Sequence, residues 1–173
     1  MIGDQPLSFM IKPPADRAPD IDRIRRLRRI DRRYGVDRLH STVLPLWDDR
    51  DTSPVRLAAL QRAAASLDAE PFMVVFDTLN RNALVGTVAT RGLRAFRKTL
   101  VRHLGALGLP IPPYTSRPHI SLVYGVESDR KAAIQPIGWQ VEEFLLIRSV
   151  HGEGRHEELG RWPLIARQGS FGF

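Results

Sequence analysis

An α+β fold, with helices outside curved antiparallel sheets, is predicted by three observations. Strand and amphipathic-helix patterns alternate along the 173 residues. At least two pairs of neighbouring strands read as antiparallel. One strand pattern also occurs twice: RLHSTV at 38–43 and RPHISL at 117–122 align Arg38 with Arg117, His40 with His119, Thr42 with Ser121 and Val43 with Leu122.

The elements follow in order. LSFMIK (7–12) reads as a short strand stopped by Pro13 and Pro14. Ile21, Ile24, Leu27, Ile30 and Tyr34 form a stripe spaced by three and four, which predicts a helix capped by Asp20 and stopped at Gly35. Seven arginines between Arg23 and Arg33 cover its other faces, as a solvated surface or a polyanion contact. Leu39–Leu44 is the first motif strand. Ser53 and Pro54 open a second helix with Leu57, Leu60, Ala64 and Leu67 on one face. Strands at 71–79 and 83–89 flank an Asn80-Arg81-Asn82 turn. A third helix carries Leu93, Phe96, Leu100, Leu104 and Leu107 and ends at Gly108 and Pro110. After the loop LPIPPYTSRP come the second motif strand (His119–Tyr124), a strand over WQVEEFLLIRSV and a partner over ELGRWPLIA.

Composition narrows the class. The length suits one domain or two fused lobes, and 43% hydrophobic residues suit a packed core. No run approaches the roughly 18 apolar residues of a membrane span, and no signal-peptide pattern stands at the start. A soluble, cytoplasmic protein without membrane partners is expected. The absence of cysteine excludes disulfides, thiolate metal sites and cysteine nucleophiles. The net charge is +7, with lysine only at Lys12, Lys98 and Lys131, so the positive charge is nearly all arginine. Guanidinium forks suit phosphate oxygens, but arginine-rich composition alone accounts for the excess equally well.

The repeated motif carries the chemistry. Alternation along a strand puts His40 and Thr42 on one face, with Leu39, Ser41 and Val43 on the other. His119 and Ser121 likewise share a face opposite Ile120, Leu122 and Tyr124. Two such strands side by side deliver two imidazoles and two hydroxyls to one cleft. One imidazole can take a proton from an attacking hydroxyl or water while the other protonates the departing oxygen. The hydroxyls of Thr42 and Ser121 can hold non-bridging phosphate oxygens. A pKa near 6.5 lets one ring be neutral and the other charged near neutral pH, and no metal or other cofactor is required. His103 reads as a surface residue, and His151 and His156 as part of a flexible turn. The tryptophans read as core or rim, with Trp47, just after the first motif, the best placed to touch a substrate. No G-x-S-x-G elbow, phosphate-binding loop or H-E-x-x-H zinc motif occurs.

LHSTV and PHISL, in order and some 79 positions apart, resemble the paired H-x-(T/S)-h motifs of the 2H phosphoesterase superfamily. The bacterial 2′-5′ RNA ligase / RNA 2′,3′-cyclic phosphodiesterase branch is the nearest in pattern, with LSFMIKPP similar to its opening strand and EFLLIRSVHGEGRHEELGRWPL to its closing strand pair. The resemblance covers nearly the whole chain. It implies a single domain over residues 1–173, with two pseudo-symmetric lobes around a groove holding both histidines. It also implies metal-independent opening of a 2′,3′-cyclic phosphate to a 2′-phosphate, in some members with 2′-5′ joining of RNA ends. Carried over, His40 is the proton donor to the leaving 3′-oxygen, His119 the base activating water, and Thr42 and Ser121 the phosphate grip. Members that process RNA often carry an arginine soon after each motif, where Leu44 and Tyr124 stand here. Arg38, Arg117 or a groove-facing arginine of the first helix are the substitutes for substrate binding, and Tyr124 joins them if its strand twists or ends there.

RNA 3′ ends or cyclic nucleotides are therefore the expected partners of a monomer. Two other readings stand beside the RNA-end phosphodiesterase. One is an enzyme for a small cyclic nucleotide or 2′-5′ oligonucleotide; the other is a non-catalytic RNA-binding module.

Overall fold

The computed structural model describes residues 6–30, 35–48, 52–86, 90–109, 111–126, 128–150 and 155–166. Among these residues, eight strands and three helices occur in the order β1 (Pro6–Ile11), α1 (Ala18–Leu27), β2 (Ser41–Asp48), α2 (Pro54–Ala65), β3 (Phe72–Asn80), β4 (Ala83–Val85), α3 (Arg91–Ala106), β5 (His119–Ser121), β6 (Lys131–Val141), β7 (Glu143–Val150) and β8 (Arg155–Pro163). Two four-stranded sheets result, ordered β2-β1-β7-β8 and β5-β4-β3-β6, and every pairing in both is antiparallel. The α+β prediction holds.

Alternation along the strands sets the faces. Leu7, Phe9, Ile11, Phe144 and Leu146 of the first sheet are buried together with Val74, Phe76, Leu84 and Ile120 of the second in one hydrophobic core. Helix α3 joins the sheets within it. Its Phe96 stacks on Phe72 of β3 and meets Phe144 of β7 edge-on, both with ring centroids 5.2 Å apart. On the opposite face of the first sheet, Met10, Leu145 and Ile147 form a smaller buried cluster. Thr42 is the cross-strand partner of Met10, so it looks out from that second face.

Several boundaries differ from the sequence reading, each for a local reason. Helix α1 ends at Leu27, not near Gly35, and Asp20 lies in its first turn rather than at the cap. Arg29 takes the left-handed conformation (φ 53°). The Ile30 N–H then bonds the Arg25 carbonyl and the Arg29 N–H the Arg26 carbonyl, the pattern with which a glycine usually closes a helix. With arginine there, the stop is invisible to composition. Leu27 of the predicted stripe is 71% exposed, while Arg25 is only 2% exposed; Tyr34 lies outside the described residues.

Strand β2 runs on through Pro45 to Asp48, which an edge strand tolerates because a missing N–H there breaks no ladder bond. The strand expected over WQVEEFLLIRSV is two: β6, starting back at Lys131, belongs to the second sheet, and β7 to the first. Pro136 hid the early start, again on an edge strand. The second motif strand, expected to reach Tyr124, is only His119–Ser121. Strand β4 stops at Val85, and residues 87–89 lie outside the described ones. His103 is not a free surface residue: its Nε2 donates to the Ala63 carbonyl (2.9 Å) and meets Ser66 Oγ (3.1 Å), tying α3 to α2.

Candidate active site

Strands β2 and β5, the edges of different sheets, come into contact, and each carries one motif. His40 sits between a 3₁₀ turn (Val36–Arg38) and β2, and His119 is the first residue of β5. The pleat buries Leu39, Ser41, Val43, Ile120 and Leu122 to 0–1% exposure, while His40, Thr42, His119 and Ser121 remain half-buried. The alternation read from the sequence is thus present at both motifs.

The imidazoles are held the same way. His40 Nδ1 lies 2.7 Å from the Arg38 carbonyl, and His119 Nδ1 lies 2.9 Å from the Arg117 carbonyl. A carbonyl only accepts, so Nδ1 carries the proton in both rings and Nε2 is left for a substrate. The arginine two residues before each histidine therefore serves it through its backbone. The side chain of Arg38 is half-buried and that of Arg117 exposed.

The surroundings differ more than the bonds. His156, expected in a turn, belongs to β8, and its ring meets that of His40 edge-on with centroids 4.9 Å apart. His156 Nδ1 is buried without a hydrogen-bond partner. Lys12, at the end of β1, donates to the Asp37 carbonyl (2.8 Å), and its positive charge reaches both rings. Burial lowers the His40 pKa, and the charges of Lys12, Arg38 and His119 lower it further against the bond to the Arg38 carbonyl. Burial, then His40, Lys12 and Arg38, lower the His156 pKa to about 4. Burial also lowers the Lys12 pKa, against the attraction of Asp37 and Glu158. On the other side, His119 and Ser121 open onto a cavity of about 800 Å³ that Arg81, Asn82, Val126, Ser128 and Asp129 also line.

Behind the site, Arg97 of α3 is only 8% exposed. Its guanidinium donates to the carbonyls of Val43 (2.6 Å), Ser116 (2.8 Å) and Thr42 (3.5 Å), and lies 4.6 Å from the Tyr114 ring centre. One side chain thereby ties the first motif strand to the segment entering the second. The sequence carried a signal for it: Arg97 is four residues after Leu93, on the apolar face of its helix. His156 had no such signal, because only the register of β8 against β7 brings it to His40.

The remaining sequence candidates are placed differently. Trp47 has one face covered by Arg56, at 3.8 Å, and its N–H donates to Thr52. Tyr124 is 46% exposed beyond the end of β5. His151 lies outside the described residues. Among the described residues, no three His, Asp or Glu side chains converge as a metal site, and no helix is long and apolar enough to cross a membrane.

Known structures share this architecture. E. coli LigT complexed with 3′-AMP superposes with a TM-score of 0.75 at 24% identity, covering 95% of this chain and 100% of that one. E. coli LigT complexed with phosphate gives a TM-score of 0.72 at the same identity, over 94% of this chain and 99% of that one. TT0787 of Thermus thermophilus gives 0.65 at 18% identity, over 92% and 97%. No curated protein sequence matches the chain. The sequence model of the 2′-5′ RNA ligase superfamily, however, matches residues 13–153, both motifs included. By that match, the chain belongs to the 2′-5′ RNA ligase superfamily.

Proposed function

We propose that the protein is a 2′,3′-cyclic phosphodiesterase that opens the cyclic phosphate at an RNA 3′ end to a 2′-phosphate, with His40 and His119 as its acid–base pair. The observation carrying this reading is the matched pair of imidazoles at the starts of touching strands, each with Nδ1 fixed by a carbonyl and each followed two residues later by a hydroxyl. In the reaction a water oxygen bonds to phosphorus as the bond to O3′ breaks. One Nε2 accepts the proton that water loses, and the other supplies a proton to O3′. Thr42 and Ser121 donate to the non-bridging oxygens as charge builds on them.

The burial and neighbouring charges that keep His40 neutral suit a proton acceptor. We therefore assign His40 as base and His119 as acid for hydrolysis, the reverse of the roles implied by resemblance. With the 5′-hydroxyl of another RNA in place of water, the same step forms a P–O5′ bond as the bond to O3′ breaks and leaves a 2′-5′ linkage, so 2′-5′ ligation belongs to the same reading. Acting as a cytoplasmic monomer is part of the proposal.

The test is conversion of a short RNA ending in a 2′,3′-cyclic phosphate, with chelator present and 2′- and 3′-phosphate products resolved. Wild type should yield the 2′-phosphate, and His40→Ala and His119→Ala should each lose about a hundredfold or more. A requirement for added divalent metal would sink the two-histidine mechanism. Leu44 and Tyr124, where RNA-processing members often have arginine, favour a second reading, an enzyme for small cyclic nucleotides or 2′-5′ oligonucleotides. That reading gains if rates ignore RNA length and salt. RNA binding that survives loss of both histidines, without turnover, would identify a binding module instead.

A further inference from the structure

The β3–β4 turn places an arginine where turn chemistry does not ask for one. Strand β3 pairs with β4 through Asn80↔Ala83, leaving Arg81 and Asn82 as the two turn residues. Arg81 has φ 56°, a conformation that glycine or asparagine adopts at least cost. An arginine held there is a reason to look for work done by its side chain.

The turn is anchored from several sides. Arg81 N–H donates to the Arg130 carbonyl (2.6 Å), Asn82 Nδ2 to the Val126 carbonyl (2.8 Å), and Leu122 N–H to the Asn82 carbonyl (2.8 Å). Its position relative to the motif is thus set by hydrogen bonds to the segment that follows β5. Arg81 lines the cavity shared by His119 and Ser121. Among the described residues, its guanidinium has no hydrogen bond or ion pair.

Register fixes the order. His119 is opposite Val85 and Ser121 opposite Ala83, so the turn that carries Arg81 lies past the Ser121 end of the pair. The cavity that runs from His119 and Ser121 to Arg81, about 800 Å³, has room for a nucleotide beyond the reacting phosphate. We propose that Arg81 and this cavity bind the internucleotide phosphate on the 5′ side of the terminal ribose of an RNA, one step from the phosphate that reacts. The inference rests on the RNA-end reading above and extends it.

Asp129 also lines the cavity. A carboxylate there disfavours a bare anion, but a ribonucleotide offers a phosphate to the guanidinium and a 2′-hydroxyl to the carboxylate.

The experiment uses a 5′-labelled tetranucleotide RNA ending in a 2′-phosphate, with a nucleoside 2′-monophosphate as the short competitor. Binding is read by anisotropy at several salt concentrations for wild type, Arg81→Gly and Arg81→Lys. Glycine relieves the left-handed residue and so should leave the melting temperature near wild type, removing misfolding as an explanation. Arg81→Gly should bind the tetranucleotide about tenfold more weakly, with a salt slope lower by about 0.7. Its affinity for the mononucleotide should stay within about twofold, and Arg81→Lys should keep part of the difference.

Unchanged tetranucleotide binding in Arg81→Gly overturns the proposal. Equal weakening for both ligands also overturns it, by assigning Arg81 to the reacting phosphate. Turnover of the cyclic-phosphate RNA, measured in parallel, separates the two readings. Selective weakening without turnover keeps this subsite and rejects the phosphodiesterase. Turnover with unaltered binding does the reverse.

Discussion

Which nitrogen of an imidazole is available decides what it can do, and at both motifs a backbone carbonyl makes that decision. His156 adds a constraint at His40 alone, since its ring packs edge-on against that residue. Because the pKa of His40 lies below its ordinary 6.5, the acidic limb of kcat/KM should fall below pH 6.5. His156→Ala lets water in beside His40, so the limb should move upward in a pH–rate profile. The same residue has a stability signature. Its folded pKa, about 4, lies below the ordinary 6.5, so between those values the unfolded chain binds the extra proton more readily than the native one. Stability is therefore lost as pH falls from 6.5 towards 4, and no more is lost through this group below that. His156→Phe should flatten the drop in melting temperature across that window; an unchanged drop would place its origin elsewhere.

Among the elements, α3 has the most varied duties. Phe96 joins the two sheets, and Arg97 fixes the backbone of β2 relative to Ser116. Arg97→Met leaves buried carbonyls without donors and should lower stability by about 2–4 kcal/mol, or roughly 5–15 °C in melting temperature. Arg97→Lys keeps the charge and one donor direction but loses the fork. Assayed well below its melting point, it should show reduced kcat with little change in KM, which a purely structural arginine would not produce. The motif pleats were legible in the sequence because alternation is local: Leu39, Ser41 and Val43 had to be buried once His40 and Thr42 faced out. The end of α1 was not, because an arginine adopts the conformation that glycine usually signals. Nor was the split between β6 and β7, where the chain passes from one sheet into the other at Glu142 with no glycine or proline to mark the change. His156 was out of reach for the same reason, since register is a property of two strands.

For the whole molecule, the two sheets share one core and meet at the site through β2 and β5. A ligand gripped by both motifs should therefore stabilise the native protein. At a hundredfold excess over Kd, a nucleoside 2′-monophosphate should add about 2.7 kcal/mol, read as a rise of roughly 5–10 °C in melting temperature. The rise should vanish in the His40→Ala, His119→Ala double variant. With a net charge of +7, association with RNA should also weaken as salt rises.

The strand order has a consequence for synthesis on the ribosome. The second sheet is built wholly from the middle of the chain, β3 to β6, whereas the first takes β1 and β2 from its start and β7 and β8 from beyond Glu142. While the chain is still growing, both motif histidines emerge well before β7 can pair with β1. Until then β1 and β2, joined through α1, are a lone two-stranded pair, which is marginal in water, and His156 has not reached His40. The nascent protein should remain inert towards nucleotides until its final strands are delivered, when closing the first sheet completes the fold and the site in one step.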